Sequence, residues 1–283
     1  MPEGPEVKFL VDKLKRKINN KDMLNIKILN GRYKKKIFTG YKLLKNLLPL
    51  KVKEILCKGK FIYITFYDTD ITLYNTLGMS GMWISENKTD KQQHDGYYGK
   101  KHNNIMLVFE NITYYFNDMR NFGTLKVSDK DNLSKILNKL GSDVLNINDE
   151  SELFLKRITK KSNLNKYICE KLLDQTIVAG CGNYIRAEAL YFAKINPFTQ
   201  IKNIDLDDLL NLYYTIKKIS YIFYDINKGL KYKILSKNNI ILKTYLLKNE
   251  IDFLIYGKEY GPNNELILSK KVNGRTIHYI DNK

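Results

Sequence analysis

Behind the opening MPEGPE, apolar residues Val7, Leu10, Val11, Leu14 and Ile18 recur at the i, i+3, i+4 spacing of an amphipathic helix. Pro5 suits its first turn, where a missing N–H leaves no bond unmade. From about residue 24 to 127 the period shortens to that of strands. Leu24–Leu29, Val52–Leu56, Lys60–Phe66, Ile71–Asn75, Asn104–Glu110 and Ile112–Phe116 are short, rich in β-branched or aromatic residues, and bounded by turn residues. Glu110-Asn111 reads as a hairpin turn between the last two, and so many short strands predict a β-sandwich or barrel. Around Ser128–Asn132 the pattern becomes helical, with helices expected over Asn132–Leu140, Glu150–Lys160, Asn165–Leu173, Asn183–Ala193 and Asp205–Tyr224. Gly180–Asn183 (GCGN) reads as a tight turn with Asn183 as the N-cap of the following helix. After Phe253 short strands return, with GKEYGPNNE and VNGRT as turns.

The pattern therefore predicts an α+β protein in three parts: a β-sandwich domain with a leading helix over residues 1–128, a helical domain over 129–250, and a small β appendage over 251–283. A chain of 283 residues, 43% hydrophobic and 12% aromatic, is large enough to build two cores. The formal net charge of +18 points to a polyanionic partner, nucleic acid first and an anionic membrane surface second. No run of eighteen apolar residues would span a bilayer, and Glu3 and Glu6 occupy the place of a signal peptide's positive region, so a protein used inside the cell, wherever the genome lies, is expected. Cys57, Cys169 and Cys181 have no CxxC spacing, and His94, His102 and His278 are scattered, so neither disulfides nor a metal site are expected. Only six of the 48 basic residues are arginine: Arg16, Arg32, Arg120, Arg157, Arg186 and Arg275. In a composition so rich in lysine, an arginine marks a place where the planar fork matters.

Candidate chemistry starts at the N-terminus. Removal of Met1 would expose the secondary amine of Pro2, and an α-amino group with a pKa of about 7.7–8.0 is partly unprotonated at neutral pH. Such an amine can attack the C1′ of a deoxyribose and displace the base as an iminium forms. Glu3 would move protons beside it and Glu6 would help hold the helix; alternatively, the string merely opens a helix. Lys60 follows a glycine turn at the head of a strand, placed for a phosphate or simply exposed. In TLGMSGMW, Gly78 and Gly81 flank Met79, either an apolar loop tip that wedges into a base stack or a core residue at a strand end. In NDMRNFG, Arg120 can pair with an orphaned base and Phe122 can stack, unless the segment is a plain turn with a buried Phe.

Taken together, MPEGPEV, the GK-F strand, LGMSG, the D-x-R-x-F-G turn and LLDQTIVAGCGNYIRAEALYFAKINPF resemble, in order, the formamidopyrimidine-DNA glycosylase / endonuclease VIII (Fpg/Nei) family. Leu172–Phe198 is similar to that family's helix–two-turns–helix motif. The resemblance implies catalytic roles for Pro2 (Schiff-base nucleophile), Glu3 (acid/base), Lys60 and Arg275. Met79, Arg120 and Phe122 would fill the gap left by a flipped nucleotide, Asn183 would bind phosphate, and Glu6 belongs with this DNA-binding set. Met119 and Asn121 depart from the pattern, where Pro or a second Arg is common.

Most members of the family end in a four-cysteine zinc finger, and residues 253–283 contain no cysteine. Val272–Ile280 keeps a hairpin pattern around Asn273-Gly274 and Arg275, which resembles the zincless finger of the Nei-like branch. No metal or organic cofactor is then expected. The implied activity is a bifunctional DNA glycosylase and abasic-site lyase acting by β,δ-elimination. Its substrates would be oxidised pyrimidines and hydantoin or ring-opened lesions, with weak action on 8-oxoguanine. The expected partner is damaged double-stranded DNA, with single-stranded DNA a second candidate, bound by a monomer and without a membrane. Two rivals remain at this level: a catalytically inactive damaged-DNA-binding protein using the same helical module, and a basic RNA- or ribosome-associated protein. The segment Asp225–Lys248 is a candidate contributor to lesion recognition.

Overall fold

A computed structural model describes residues 1–86, 100–229 and 253–281. Most of Asp225–Lys248, from residue 230 onward, lies outside the described residues. The chain separates into two units: Met1–Pro2 with Val7–Asn138, and Glu3–Glu6 with Lys139–Lys283.

Helix α1 (Gly4–Ile18) forms where the apolar spacing placed it, and Val7, Val11, Leu14 and Ile18 are buried in the core of the first unit. Eight strands follow: β1 (Asp22–Ile28), β2 (Leu50–Lys58), β3 (Phe61–Phe66), β4 (Ile71–Thr76), β5 (Met82–Ser85), β6 (Asn103–Phe109), β7 (Thr113–Asn117) and β8 (Thr124–Asp129). Short helices α2 (Arg32–Lys35) and α3 (Tyr41–Leu47) lie between β1 and β2. The strand order is β5-β7-β6-β1-β2-β3-β4-β8. Strands β1 and β2 share only the pairs Asp22↔Lys51 and Met23↔Leu50. The order thus divides at that seam into two four-stranded layers, the expected β-sandwich. Alternating residues such as Ile62, Ile64 and Phe66 of β3 are buried, while their neighbours are only partly so. The predicted hairpin turn at Glu110-Asn111 is present, closed by the Phe109 N–H donating to the Ile112 carbonyl.

The second unit has a separate core. After α4 (Lys130–Lys139), β9 (Ser142–Asp143) pairs in parallel with β10 (Val178–Ala179). Helices α5 (Ser151–Ile158), α6 (Ile168–Lys171), α7 (Asn183–Phe192) and α8 (Leu206–Asn227) supply the apolar faces. Leu209, Leu212, Tyr213, Ile216, Ile219, Ile222 and Phe223 form the buried stripe of α8; each such side chain contributes about 1.5–3 kcal/mol as an upper estimate. Helix α6 is much shorter than the predicted Asn165–Leu173. The N–H groups of Ile168 and Cys169 bond instead to the carbonyls of Thr199 and Pro197, so distant backbone claims what a longer helix would have used.

The tail is fastened to α7 by the fully buried carboxylate of Glu188, which accepts hydrogen bonds from the N–H groups of Leu254, Ile255 and Tyr256. Beyond it, β11 (Leu268–Val272) and β12 (Arg275–Tyr279) form an antiparallel hairpin. Both turn residues have positive φ, 47° at Asn273 and 76° at Gly274, as a two-residue turn matched to strand twist requires. Ile277 anchors the hairpin in the core, and the Tyr279 ring meets Phe198 edge-on at 5.0 Å.

Candidate active site and nucleic-acid interface

The residues singled out in the sequence fall into two groups, one in each unit. In the second unit the N-terminal segment is built into the start of α7. The Glu3 carboxylate, 1% exposed, accepts hydrogen bonds from the N–H of Tyr184 (3.0 Å) and of Ile185 (3.3 Å). These are otherwise orphan donors at a helix N-terminus, where the helix dipole also favours a negative charge. The N-cap is Gly182, and Asn183 is the first helical residue. The expectation that Asn183 would cap the helix is thus corrected: a carboxylate 181 residues away in sequence takes those donors. A Cβ on Gly182 would stand 2.2–2.6 Å from the carboxyl atoms of Glu3, so only glycine admits this arrangement.

Glu6 completes the arrangement. Its carboxylate accepts from the Glu3 N–H (2.8 Å), from the Tyr184 hydroxyl (3.0 and 3.2 Å) and from Asn227 Nδ2 (3.3 Å). Glu6 therefore holds the amide that joins Glu3 to Pro2, through contacts within the chain. Burial, and then the charges of Glu6 and Glu3, push the Tyr184 phenol well above its ordinary pKa, which keeps it a hydrogen-bond donor.

Asn183 is half-buried, and its Oδ1 lies 3.4 Å from Nη2 of Arg186. Arg275 is exposed at the foot of the hairpin turn, opposite Val272. No thiol lies in the hairpin, His278 stacks edge-on against Tyr256, and among the described residues no cluster of His, Cys, Asp and Glu is present. The donor set of this finger does not fit a tetrahedral zinc.

In the first unit, Lys60 sits within the two-residue turn Gly59-Lys60 of the β2–β3 hairpin, one residue before the strand predicted to start with it. The other candidates share one surface made by two loops. Gly78 (φ 62°) brings its loop so close to Phe122 and Gly123 that a Cβ would meet their backbone at 2.6 Å. The buried Asp118 carboxylate ties the loops together, accepting from Ser80 Oγ (2.5 Å) and from the Gly123 N–H (2.7 Å), while Ser80 Oγ in turn accepts from the Arg120 N–H (3.1 Å). Phe122 is 53% exposed, which excludes the buried-Phe reading. The Arg120 guanidinium lies 5.3 Å from its ring centre. Met79 is half-buried at the tip of the neighbouring loop.

Two residues outside the predicted set support this surface. Asn121, the departure from the family pattern, has φ 56°, a left-handed conformation that Asn tolerates better than most residues, and its Oδ1 accepts from Asn104 Nδ2 and the Arg32 N–H. Arg32 also donates through Nη2 to the Gly123 carbonyl (2.7 Å). The scarcity of arginine was the one signal that marked Arg32 in advance.

Comparison with known proteins covers both units. The models for the formamidopyrimidine-DNA glycosylase N-terminal domain and H2TH domain match residues 1–125 and 140–222. The formamidopyrimidine-DNA glycosylase of Ureaplasma parvum serovar 3 is 30% identical over 293 residues, covering 100% of this chain and 99% of the relative. Wild-type Lactococcus lactis Fpg, solved with DNA containing an oxidised pyrimidine, superposes with a TM-score of 0.76 at 26% identity, covering 99% of this chain and 98% of the other. A MutM complex with DNA containing carbocyclic 8-oxoguanine gives 0.77 at 25% identity, with the same coverage. A sandwich that presents an apolar-and-arginine loop pair, a glutamate-capped two-turn helical module and near end-to-end likeness lead to one assignment: the chain belongs to the formamidopyrimidine-DNA glycosylase (Fpg/Nei) family of base-excision-repair enzymes.

Proposed function

We propose that the protein is a bifunctional glycosylase and abasic-site lyase that excises oxidised bases from duplex DNA through the amine of Pro2. The observation that carries this reading is the fixing of Glu3: its carboxylate caps α7 and its N–H is held by Glu6, so the residue bonded to Pro2 has little freedom. An N-terminus that only opened a helix would not need a buried carboxylate and a glycine shaped around it.

Positive charge, +18 over the chain, draws in the duplex with an affinity that falls steeply with salt. The damaged nucleotide leaves the stack, at a cost of a few kcal/mol, and Met79, Arg120 and Phe122 fill the gap. The Pro2 nitrogen lone pair attacks C1′ and the glycosidic bond breaks, its electrons leaving with the base, which takes up a proton. Loss of the amine proton and ring opening give an iminium between Pro2 and the sugar. Removal of a C2′ proton expels the 3′ phosphate, and a second elimination, with loss of a C4′ proton, expels the 5′ phosphate, so the strand is cut on both sides of the lost nucleotide and a single gap is left. Glu3 is the carboxylate nearest in sequence for these proton transfers. Lys60, Asn183 and Arg275 hold the backbone phosphates, Arg275 with the fork suited to two oxygens.

The substrates proposed are oxidised pyrimidines and hydantoin or ring-opened lesions, on the strength of the cysteine-free hairpin and the NYIRAEALY segment. The protein acts as a monomer without zinc or another cofactor, and within the compartment that holds the genome. A lesion panel with borohydride trapping tests both halves of this proposal. Arg275→Ala should slow base excision at least tenfold while slowing cutting at a pre-formed abasic site much less. Equal losses would reduce Arg275 to general binding.

A further inference from the structure

Arg186 is 1% exposed, the largest fully buried side chain among the described residues, on the helix that also buries the Glu188 carboxylate. It reaches three elements of the second unit. Nη1 donates to the Cys169 carbonyl of α6 (3.0 Å), and Nη2 to the Thr276 carbonyl of β12 (2.9 Å) and, at 3.4 Å, to Asn183 Oδ1 on its own helix; Nε makes no hydrogen bond. A buried guanidinium is costly unless its bonds do something that apolar packing would not. Thr276 follows Arg275 directly. On the other side of Arg275, the turn residue Asn273 donates through Nδ2 to Glu170 of α6 (3.0 Å).

From this geometry we infer that Arg186 is a positioning residue: together with the Asn273–Glu170 bond it sets the hairpin so that Arg275 and Asn183 face the DNA in fixed register, with hydrogen bonds in the place of a metal. The inference rests on the phosphate-binding reading of Arg275 and Asn183. It follows from two facts about the acceptors. Cys169, Asn183 and Thr276 lie in three different elements, and the two terminal guanidinium nitrogens of Arg186 reach all three. Both anchors flank Arg275 within two residues, so the hairpin cannot pivot about either alone. A lysine supplies one compact ammonium and cannot span the same acceptors.

The test uses full-length Arg186→Lys and Asn273→Gly, each alone and combined with Arg275→Ala. Glycine keeps the positive φ at position 273 and removes only the exposed tether. Single-turnover excision of an oxidised pyrimidine should fall tenfold or more in Arg186→Lys and about two- to fivefold in Asn273→Gly. With Arg275→Ala already present, each second change should cost less than twofold. Hydrogen exchange of the β11–β12 amides should quicken in both single variants while that of α8 stays as in the parent. Equal fold-losses with and without Arg275, or unaltered exchange in the hairpin, would overturn the inference. If Arg186→Lys fails to fold, Asn273→Gly decides by the same two readouts. If Arg275→Ala excises as well as the parent, the phosphate reading fails, and exchange in β11–β12 still decides whether Arg186 anchors the hairpin.

Discussion

Gly182→Ala is the smallest change that attacks the fixed N-terminus. The backbone at Gly182 (φ −136°, ψ −155°) is extended and open to alanine, so any effect comes from the added methyl alone. That methyl would overlap the Glu3 carboxyl at 2.2–2.6 Å, far inside contact distance. The carboxylate must then leave the N–H groups of Tyr184 and Ile185. Losing a helix cap costs about 0.5–2 kcal/mol, and a hydrogen bond to a charged group is worth about 1.5–3 kcal/mol. Partial replacement by water lowers the sum, and a loss of about 2–4 kcal/mol is expected. For a unit of this size that lowers Tm by roughly 5–15 °C. Trapping of the Schiff base should fall more than stability explains, measured well below the melting range. The decisive assay is a double-mutant cycle with Glu3→Ala, which removes the group the methyl strikes. The double variant should be more stable than the sum of the single losses by at least about 1 kcal/mol. Additive losses would refute the cap geometry.

Two further outcomes concern the wedge and the hairpin. Phe122→Ala should reduce excision about ten- to a hundredfold in single-turnover kinetics with little change in Tm, because the ring is half exposed in the free protein; a large drop in Tm with unchanged excision would show it to be a packing residue. Burial, and then the charge of Arg186, lower the pKa of His278 below its ordinary 6.5. The unfolded chain therefore binds more protons at that site, so stability is lost as pH falls through the unfolded value of about 6.5. Melting scans from pH 7.5 to 5.5 should show a decline that is shallower in His278→Gln; parallel curves would remove His278 from the account.

Particular residues show what could be read from the sequence and what could not. Helices α1 and α8 were legible because their apolar residues repeat along one face, and the hairpin of β11 and β12 because Asn-Gly specifies its own turn. Strand β8 carries the same kind of signal, with Leu125 and Val127 buried in alternation, but its short polar-rich run merges with the switch toward helix. Asn183 looked like a cap because caps are usually local; the true cap, Glu3, is brought there only by folding. Glu6 was grouped with DNA contacts since its partners Tyr184 and Asn227 lie more than 170 positions away. The surface position of Phe122 goes with the close approach of Gly78 to the Phe122–Gly123 backbone, a contact between distant segments that no local pattern announces. Arg32 and Arg186 left one trace, being arginines where lysine is the rule, and that trace says where a fork is used without saying what it holds.

The most direct test of the central claim is to locate the covalent bond. Protein with a verified N-terminal proline is reduced with borohydride during reaction with duplex DNA carrying an oxidised pyrimidine, then digested, and the cross-linked peptide is identified by mass spectrometry. The account predicts a single adduct on the Pro2 nitrogen and none in protein that retains Met1. An adduct on a lysine side chain, or undiminished trapping with Met1 in place, would contradict it.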